Sequence, residues 1–188
     1  FLTLYSYLSH FFLAHGTTHN SILLLLGIVL FLIFFRLNYN VNNSKITCLV
    51  FILILISFFC YKTHDDFPYY HFPYTHLLTE HPNMIGLGNF NHGFRTHSSI
   101  FYLSSLFNLP FSNYFLLHIS PVFFMGFANI IFYNKILLFL NLKQKLSIVY
   151  LSLLLLIFIN IFFYRLSEHG TDRSAMILII VTIIELLY

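Results

Sequence analysis

The sequence predicts an all-α integral membrane protein with about five transmembrane helices and short interfacial helices in one outer loop. Of its 188 residues, 59% are hydrophobic and only 8% are charged, whereas soluble domains carry about 25% charged residues. The apolar residues form long uncharged runs, and the charges collect in the segments between them. A chain with so few charges needs lipid around much of its surface.

The first half of the chain contains three apolar runs. Phe1–Leu13 is predicted to be the end of an earlier span, because the chain does not begin with Met and we interpret it as a fragment of a longer protein. A polar turn separates it from the predicted span Ser21–Phe35. Ile46–Tyr61 is short for about 30 Å of hydrocarbon, but the flanking Lys45 and Lys62 can snorkel to the interfaces.

The second half contains four more apolar runs. Ile100–Leu109 is too short to cross a bilayer, which predicts an interfacial or re-entrant helix. Tyr114–Tyr133 predicts a span that is kinked at Pro121. Leu146–Tyr164 predicts a full span, and Ser174–Tyr188 predicts the start of another. We therefore expect a single transmembrane domain over residues 1–188.

The charges predict which loops face the cytoplasm. If the loops alternate between the two sides, one side carries five cations and no acid: Arg36, Lys45, Lys135, Lys143 and Lys145. The other side carries four cations and five acids: Lys62, Arg95, Arg165, Arg173, Asp65, Asp66, Glu80, Glu168 and Asp172. The positive-inside rule places the first set in the cytoplasm. The polar loop at residues 62–99 is then outside.

This outer loop holds three of the six acidic residues and six of the eleven histidines. Its adjacent carboxylates, Asp65 and Asp66, follow directly after a predicted span. Such a pair can hold a divalent cation such as Mg²⁺ or Mn²⁺ through oxygen ligands, or supply a general base. The alternative is structural, because an Asp before Phe67 and Pro68 is also favourable for starting a helix. The histidine spacing matches no standard zinc ligand set.

Two short segments of the loop extend this candidate site. Prolines on either side of His71 hold it near the acids, and Tyr74–His81 predicts an amphipathic helix lying on the outer leaflet, with His76 and Glu80 together on one side. Further along, Gly86 and Gly88 allow the backbone to approach a ligand, and Arg95 is suited to phosphate. The alternative for this second segment is a plain turn with glycines at positive φ.

Three segments resemble an uncharacterised family of bacterial multi-spanning membrane proteins that is distantly similar to GT-C glycosyltransferases. They are HDDFPYYH (His64–His71), GLGNFNHGFRTHSS (Gly86–Ser99) and SEHGTDRSA (Ser167–Ala175). The resemblance implies a bacterial inner-membrane enzyme that uses a polyprenyl-phosphate-linked sugar at the periplasmic face. GT-C enzymes place the catalytic acid after the first span, whereas here at least two apolar segments precede it.

The resemblance also implies residue roles. The catalytic base or metal ligand would be Asp65 or Asp66. The candidate substrate-binding residues are His71, Gly86, Gly88, Arg95 and Arg173. Of these, Arg95 and Arg173 would contact the lipid phosphate.

Two other functions remain open from the sequence. A transporter or channel is indicated by polar residues inside predicted spans, namely Glu185, His118 and Asn129. Glu185 would lie past mid-bilayer, where an acid needs a partner or a water-filled cavity. A membrane assembly protein without chemistry is the third possibility. The net charge of +3 is too small to indicate nucleic acid.

Overall fold

A computed structural model describes residues 1–38, 41–59, 65–95, 98–142, 146–162 and 171–187. These residues form eight α-helices and no β-strand, which confirms the predicted all-α class. The helices are α1 (Leu2–His10), α2 (Thr17–Asn38), α3 (Val41–Phe59), α4 (Phe72–Glu80), α5 (Ser99–Ser105), α6 (Ser120–Leu142), α7 (Leu146–Phe162) and α8 (Thr171–Leu186). Short helical turns of other types cover Phe67–His71, Leu87–Asn89 and His92–Arg95.

The chain divides into two compact units. The first consists of Phe1–Val41 and Thr63–Ser120, and the second of Asn42–Lys62 and Pro121–Tyr188. Helix α5 lies at the centre of the first unit, where α1 and α4 pack on it and its residues from Ile100 to Ser105 are buried. Of the two alternatives predicted for this segment, a helix lying at the interface does not fit, because the helix is enclosed within the unit, whereas a re-entrant helix stays a prediction. The helix ends at Ser105 and not at Leu109.

Helix α2 leaves its apolar surface bare. Between positions 22 and 37 every side chain is exposed except Leu23, which is half-buried. The segment Thr17–Leu37 has 21 residues and is therefore about 31 Å long, close to the thickness of the hydrocarbon core. A bare helix of this composition is stable only against hydrocarbon or other apolar helices.

Polar contacts between helices hold the second unit together. The side-chain amides of Asn129 in α6 and Asn160 in α7 bond to each other, with 2.6 Å between Asn160 Nδ2 and Asn129 Oδ1. Lys135 Nζ in α6 donates to Glu185 Oε2 in α8 at 3.0 Å. Between bilayer-spanning helices such pairs supply association energy that apolar contacts cannot, because lipid tails are equally apolar.

Two described helices are long and apolar enough to cross a membrane, in the segments Thr17–Leu37 and Ser120–Leu138. The apolar stretches Ser44–Leu55 of α3 and Leu146–Phe162 are shorter, so the predicted count of five spans is not established by length and composition. The predicted kink at Pro121 is wrong. Helix α6 begins at Ser120, which puts Pro121 in its first turn, where a missing N–H costs nothing.

Candidate functional site

The predicted acids stand at the start of a wide, π-type helical turn, Phe67–His71. Asp65 is exposed and Asp66 is half-buried. The carbonyl of Asp66 accepts hydrogen bonds from the backbone N–H groups of Tyr69, Tyr70 and His71, at 3.1 to 3.4 Å. The first hydrogen bonds of the turn are therefore accepted by the Asp66 main-chain carbonyl, and the Asp66 carboxylate makes no cap hydrogen bond. The N-cap position was predicted correctly, but its side-chain bond was not.

Helix α4 covers Phe72–Glu80, so it begins two residues before the predicted Tyr74 and excludes the predicted last residue, His81, which is exposed. It ends at Glu80, immediately before the extended His81 and Pro82. His76 Nε2 lies 3.5 Å from Glu80 Oε1, which confirms that these two side chains share one face. The opposite face is buried through Tyr74 and Leu78, each 2% exposed. The helix is thus anchored in the first unit by its apolar side.

The glycine turn holds Arg95 by its backbone. Gly86 has φ of +91°, a left-handed conformation that side chains other than glycine rarely adopt. The exposed Arg95 donates from Nε to the carbonyl of Gly88 at 2.9 Å. A Cβ at Gly88 would lie 2.8 Å from Arg95 Cγ. The arginine can therefore lie against residue 88 only because that residue is a glycine. The other N–H groups of the guanidinium remain for further contacts.

One asparagine joins the turn that Asp66 opens (Asp66–His71, the acidic turn) to the segment that ends in Arg95 (Gly86–Arg95, the arginine turn). Asn91 Nδ2 donates to the carbonyl of Tyr69 at 2.9 Å, and Asn91 Oδ1 accepts from the Gly93 N–H at 2.9 Å. Gly93 itself packs on Tyr70 so closely that a Cβ there would lie 2.5 Å from Tyr70 Cβ. The segment opened by Asp66 and the segment that ends in Arg95 therefore form one packed surface.

The remaining predicted site residues are placed differently. His71 is buried, with its ring 4.3 Å from that of Tyr70 and 5.3 Å from that of Phe101, so it supports the turn from inside. Arg173 lies in the first turn of α8 in the second unit. The predicted positions His64 and Ser167–Gly170, together with Thr96 and His97, fall outside the described residues.

No three His, Cys, Asp or Glu side chains come together in a metal-binding group within the part of the chain that the structure describes. Mg²⁺ is often held by only one or two carboxylates together with substrate phosphate and water. Asp65 and Asp66 could supply that smaller ligand set.

Sequence reasoning missed a buried polar centre in the first unit. The imidazole of His15 lies between two hydroxyls, 2.6 Å from Ser105 Oγ through Nδ1 and 2.9 Å from Ser9 Oγ through Nε2. Ser105 Oγ already donates its only hydrogen to the carbonyl of Tyr102, so Nδ1 donates to Ser105. In the neutral ring Nε2 then accepts from Ser9 Oγ at 2.9 Å, which is closer than that hydroxyl's other acceptor, the Ser6 carbonyl at 3.4 Å. A neutral imidazole satisfies both contacts.

Asn20 ties the same centre together. Its side-chain N–H groups donate to the carbonyls of His15, Ser105 and Asn108 at 2.8, 2.8 and 3.1 Å. Its Oδ1 lies 3.0 Å from His19 Nδ1. The sequence signal was the polar run HGTTHN (His15–Asn20), whose last four residues form the first turn of α2. It predicted a turn but contained no indication of its partners in α5.

We expect the first unit to lose stability in acid because of His15. Burial, with His10 and His19 nearby, lowers the pKa of His15 to about 3, whereas the unfolded value is about 6.5. Below pH 6.5 the unfolded chain therefore binds a proton at His15 that the folded protein does not bind. The contribution of His15 to the free energy of unfolding is complete above pH 6.5 and declines as the pH falls toward 3. Between pH 6.5 and 5 the loss is about 2 kcal/mol.

Thermal unfolding of the reconstituted protein at pH 7 and pH 5 measures this loss, and His15→Gln should reduce the dependence, while His10, whose pKa burial also lowers, keeps its share. Nitrogen-15 NMR of the His15 ring gives a direct readout. A ring that is protonated at pH 5 in the folded protein would contradict the prediction.

A protein-family model described as a domain of unknown function (DUF8201) matches residues 1–188. No curated protein and no solved structure matches the chain.

Proposed function

The chain belongs to the DUF8201 family of domains of unknown function, and from this premise we propose that it is a membrane-embedded glycosyltransferase, or a related surface-glycan protein, similar to the GT-C class. It would transfer a sugar from a polyprenyl-phosphate carrier at the outer face of the bacterial inner membrane. The observation that carries the proposal is the packed surface that joins the turn opened by Asp66 to the turn that ends in the exposed Arg95. Asp65 directly precedes this surface, and the charge count would put it in an outer loop.

The proposed protein has about five spans, and its placement in the membrane is supported by the bare helix α2. With alternating loops, the charge count puts the polar turn at His15–Asn20 and the loop at residues 62–99 on the same side. These segments pack in one unit. The backbone N–H of His15 donates to the Leu78 carbonyl at 3.0 Å, and the backbone N–H of Asn83 donates to the His10 carbonyl at 3.0 Å. A shared side for both segments is what a periplasmic loop requires.

Helix direction in the second unit also fits this topology. Lys135 lies about 22 Å along α6 from Ser120, and Glu185 about 21 Å along α8 from Thr171. Their ion pair therefore matches two parallel helices that both start at the outer face. The pair then lies in the cytoplasmic half of the bilayer, where a charge is favourable only with such a partner.

In the proposed reaction the Asp65 or Asp66 carboxylate removes the proton from an acceptor hydroxyl. The acceptor oxygen bonds to the anomeric carbon of the sugar, and the bond from that carbon to the carrier phosphate breaks, with its electrons leaving on the phosphate. Arg95 would stabilise the charge on the released phosphate by charge-assisted hydrogen bonds. A divalent cation on the acids would add to that stabilisation.

The test is to replace Asp65 and Asp66 by Asn, singly, in cells that make the full-length protein. We expect at least one variant to lower surface glycan, and to lower sugar transfer in reconstituted vesicles about 100-fold or more, the usual contribution of a general base. Glu80→Gln is the matched control. It neutralises another carboxylate of the same loop, one that pairs with His76, and should leave transfer unchanged.

Normal glycan from both Asn variants, with normal amounts of protein in the membrane, would contradict the proposal and favour an assembly role. Glu185 is paired with Lys135 and Asn129 with Asn160, so two of the polar residues that suggested transport have partners in neighbouring helices.

A further inference from the structure

An apolar groove of about 400 Å³ lies within the first unit, between α2 and α5. Its walls include Leu23, Gly27 and Phe31 from α2, and Leu103, Leu106 and Leu109 from α5 and the turn after it. Asn20 is the single polar residue of the lining. Its amide is already bonded to three carbonyls and to His19, so the groove has no polar group to offer a ligand.

The lining restricts the occupant to hydrocarbon. The volume is in the range of small-ligand sites. A peptide in this groove would leave its backbone N–H and C=O groups without partners, at a cost of several kcal/mol for each group. A single flexible hydrocarbon chain has no polar group that needs a partner there.

The groove has the length of one leaflet. Its lining on α2 runs from Asn20 to Phe31, which is about 16 Å of helix, or half the hydrocarbon thickness. It is continuous with the bare surface of α2, and in the proposed topology it begins at the outer end of that helix. We propose that this groove holds one acyl chain of an outer-leaflet phospholipid. The inference rests on the membrane placement in the proposed function and not on the acid pair.

Gly27 provides a variant that fills the groove without disturbing the fold. A Cβ at Gly27 would meet nothing within 4 Å, and glycine is unfavourable in a helix interior. Gly27→Phe therefore places a ring in the groove. Val29→Phe is the matched control, because Val29 is exposed on α2 and does not line the groove.

The experiment uses the full-length protein in vesicles of phosphatidylethanolamine and phosphatidylglycerol, with a phosphatidylethanolamine probe that carries a photoreactive diazirine in mid-chain. Mass spectrometry locates the labelled residues. We expect label on Leu106, which is 7% exposed and lines the groove, in addition to the exposed face of α2. Gly27→Phe should reduce label on Leu106 about tenfold, equivalent to about 1.4 kcal/mol of binding free energy, while Val29→Phe should not.

Label confined to the exposed face of α2, or equal label on Leu106 in both variants, would overturn the inference. A diazirine-tagged polyprenyl phosphate that labels Leu106 in preference to the phospholipid would overturn the assignment to an acyl chain. The assay requires no sugar donor and no acid pair. A loss of glycan in the aspartate variants therefore gives an independent result.

Discussion

Asn20→Ala is expected to make backbone amides in α1 and α5 exchange with solvent about 100-fold faster than in the unaltered protein. Asn20 is 1% exposed, and its two N–H hydrogens serve three carbonyls, those of His15, Ser105 and Asn108. Alanine leaves these acceptors buried without their donor, at about 1 to 3 kcal/mol for each group left unsatisfied. A total of about 3 kcal/mol corresponds to the expected change in exchange.

Hydrogen exchange with mass spectrometry on the protein in lipid nanodiscs measures the effect. Asn141→Ala is the control, because Asn141 is exposed near the end of α6 in the second unit and its removal should leave α1 and α5 unchanged. If the amides of α1 and α5 exchange as slowly in Asn20→Ala as in the unaltered protein, the buried polar centre does not hold the first unit together.

Gly93→Ala is expected to separate the acidic turn from the arginine turn. The new Cβ would lie 2.5 Å from both Cβ and Cγ of Tyr70. These atoms are next to the main chain, so they cannot move aside as the end of a flexible side chain would. Overpacking of this kind costs about 1 to 3 kcal/mol, and relief requires the backbone of one turn to shift, which breaks the Asn91 bonds to Tyr69 and Gly93.

Limited proteolysis between residues 65 and 95 in vesicles, together with the Tm, measures this change. Gly27→Ala is the matched control. It adds the same methyl group in open space within a helix, and should leave the Tm unchanged or raise it slightly through better helix propensity. If Gly93→Ala keeps the Tm and the protease resistance of the unaltered protein, the close packing of the two turns is wrong. If it also keeps sugar transfer, the packed surface is not the site of the reaction.

Local features of the candidate site could be predicted from the sequence, because neighbouring residues create them. The end of α4 follows from Pro82, the contact of His76 with Glu80 follows from helical spacing, and the positive φ of Gly86 follows from turn chemistry. The start of α4 at Phe72, before Pro73, was not predicted. The inward orientation of His71 was not predictable. A histidine after two tyrosines in a loop carries no signal of the buried ring of Phe101 that it meets.

The sequence by itself determined the helical class and the position of most helices, since runs of apolar residues and the polar turns between them are recorded directly in the order of residues. The tertiary structure alone decided which helices meet. His15 bonds to Ser105 ninety positions away, and Lys135 pairs with Glu185 fifty positions away. Hydrophobicity indicates that a side chain leaves water but not which neighbour it finds, because burial in lipid, in a core or between helices requires the same apolar residues.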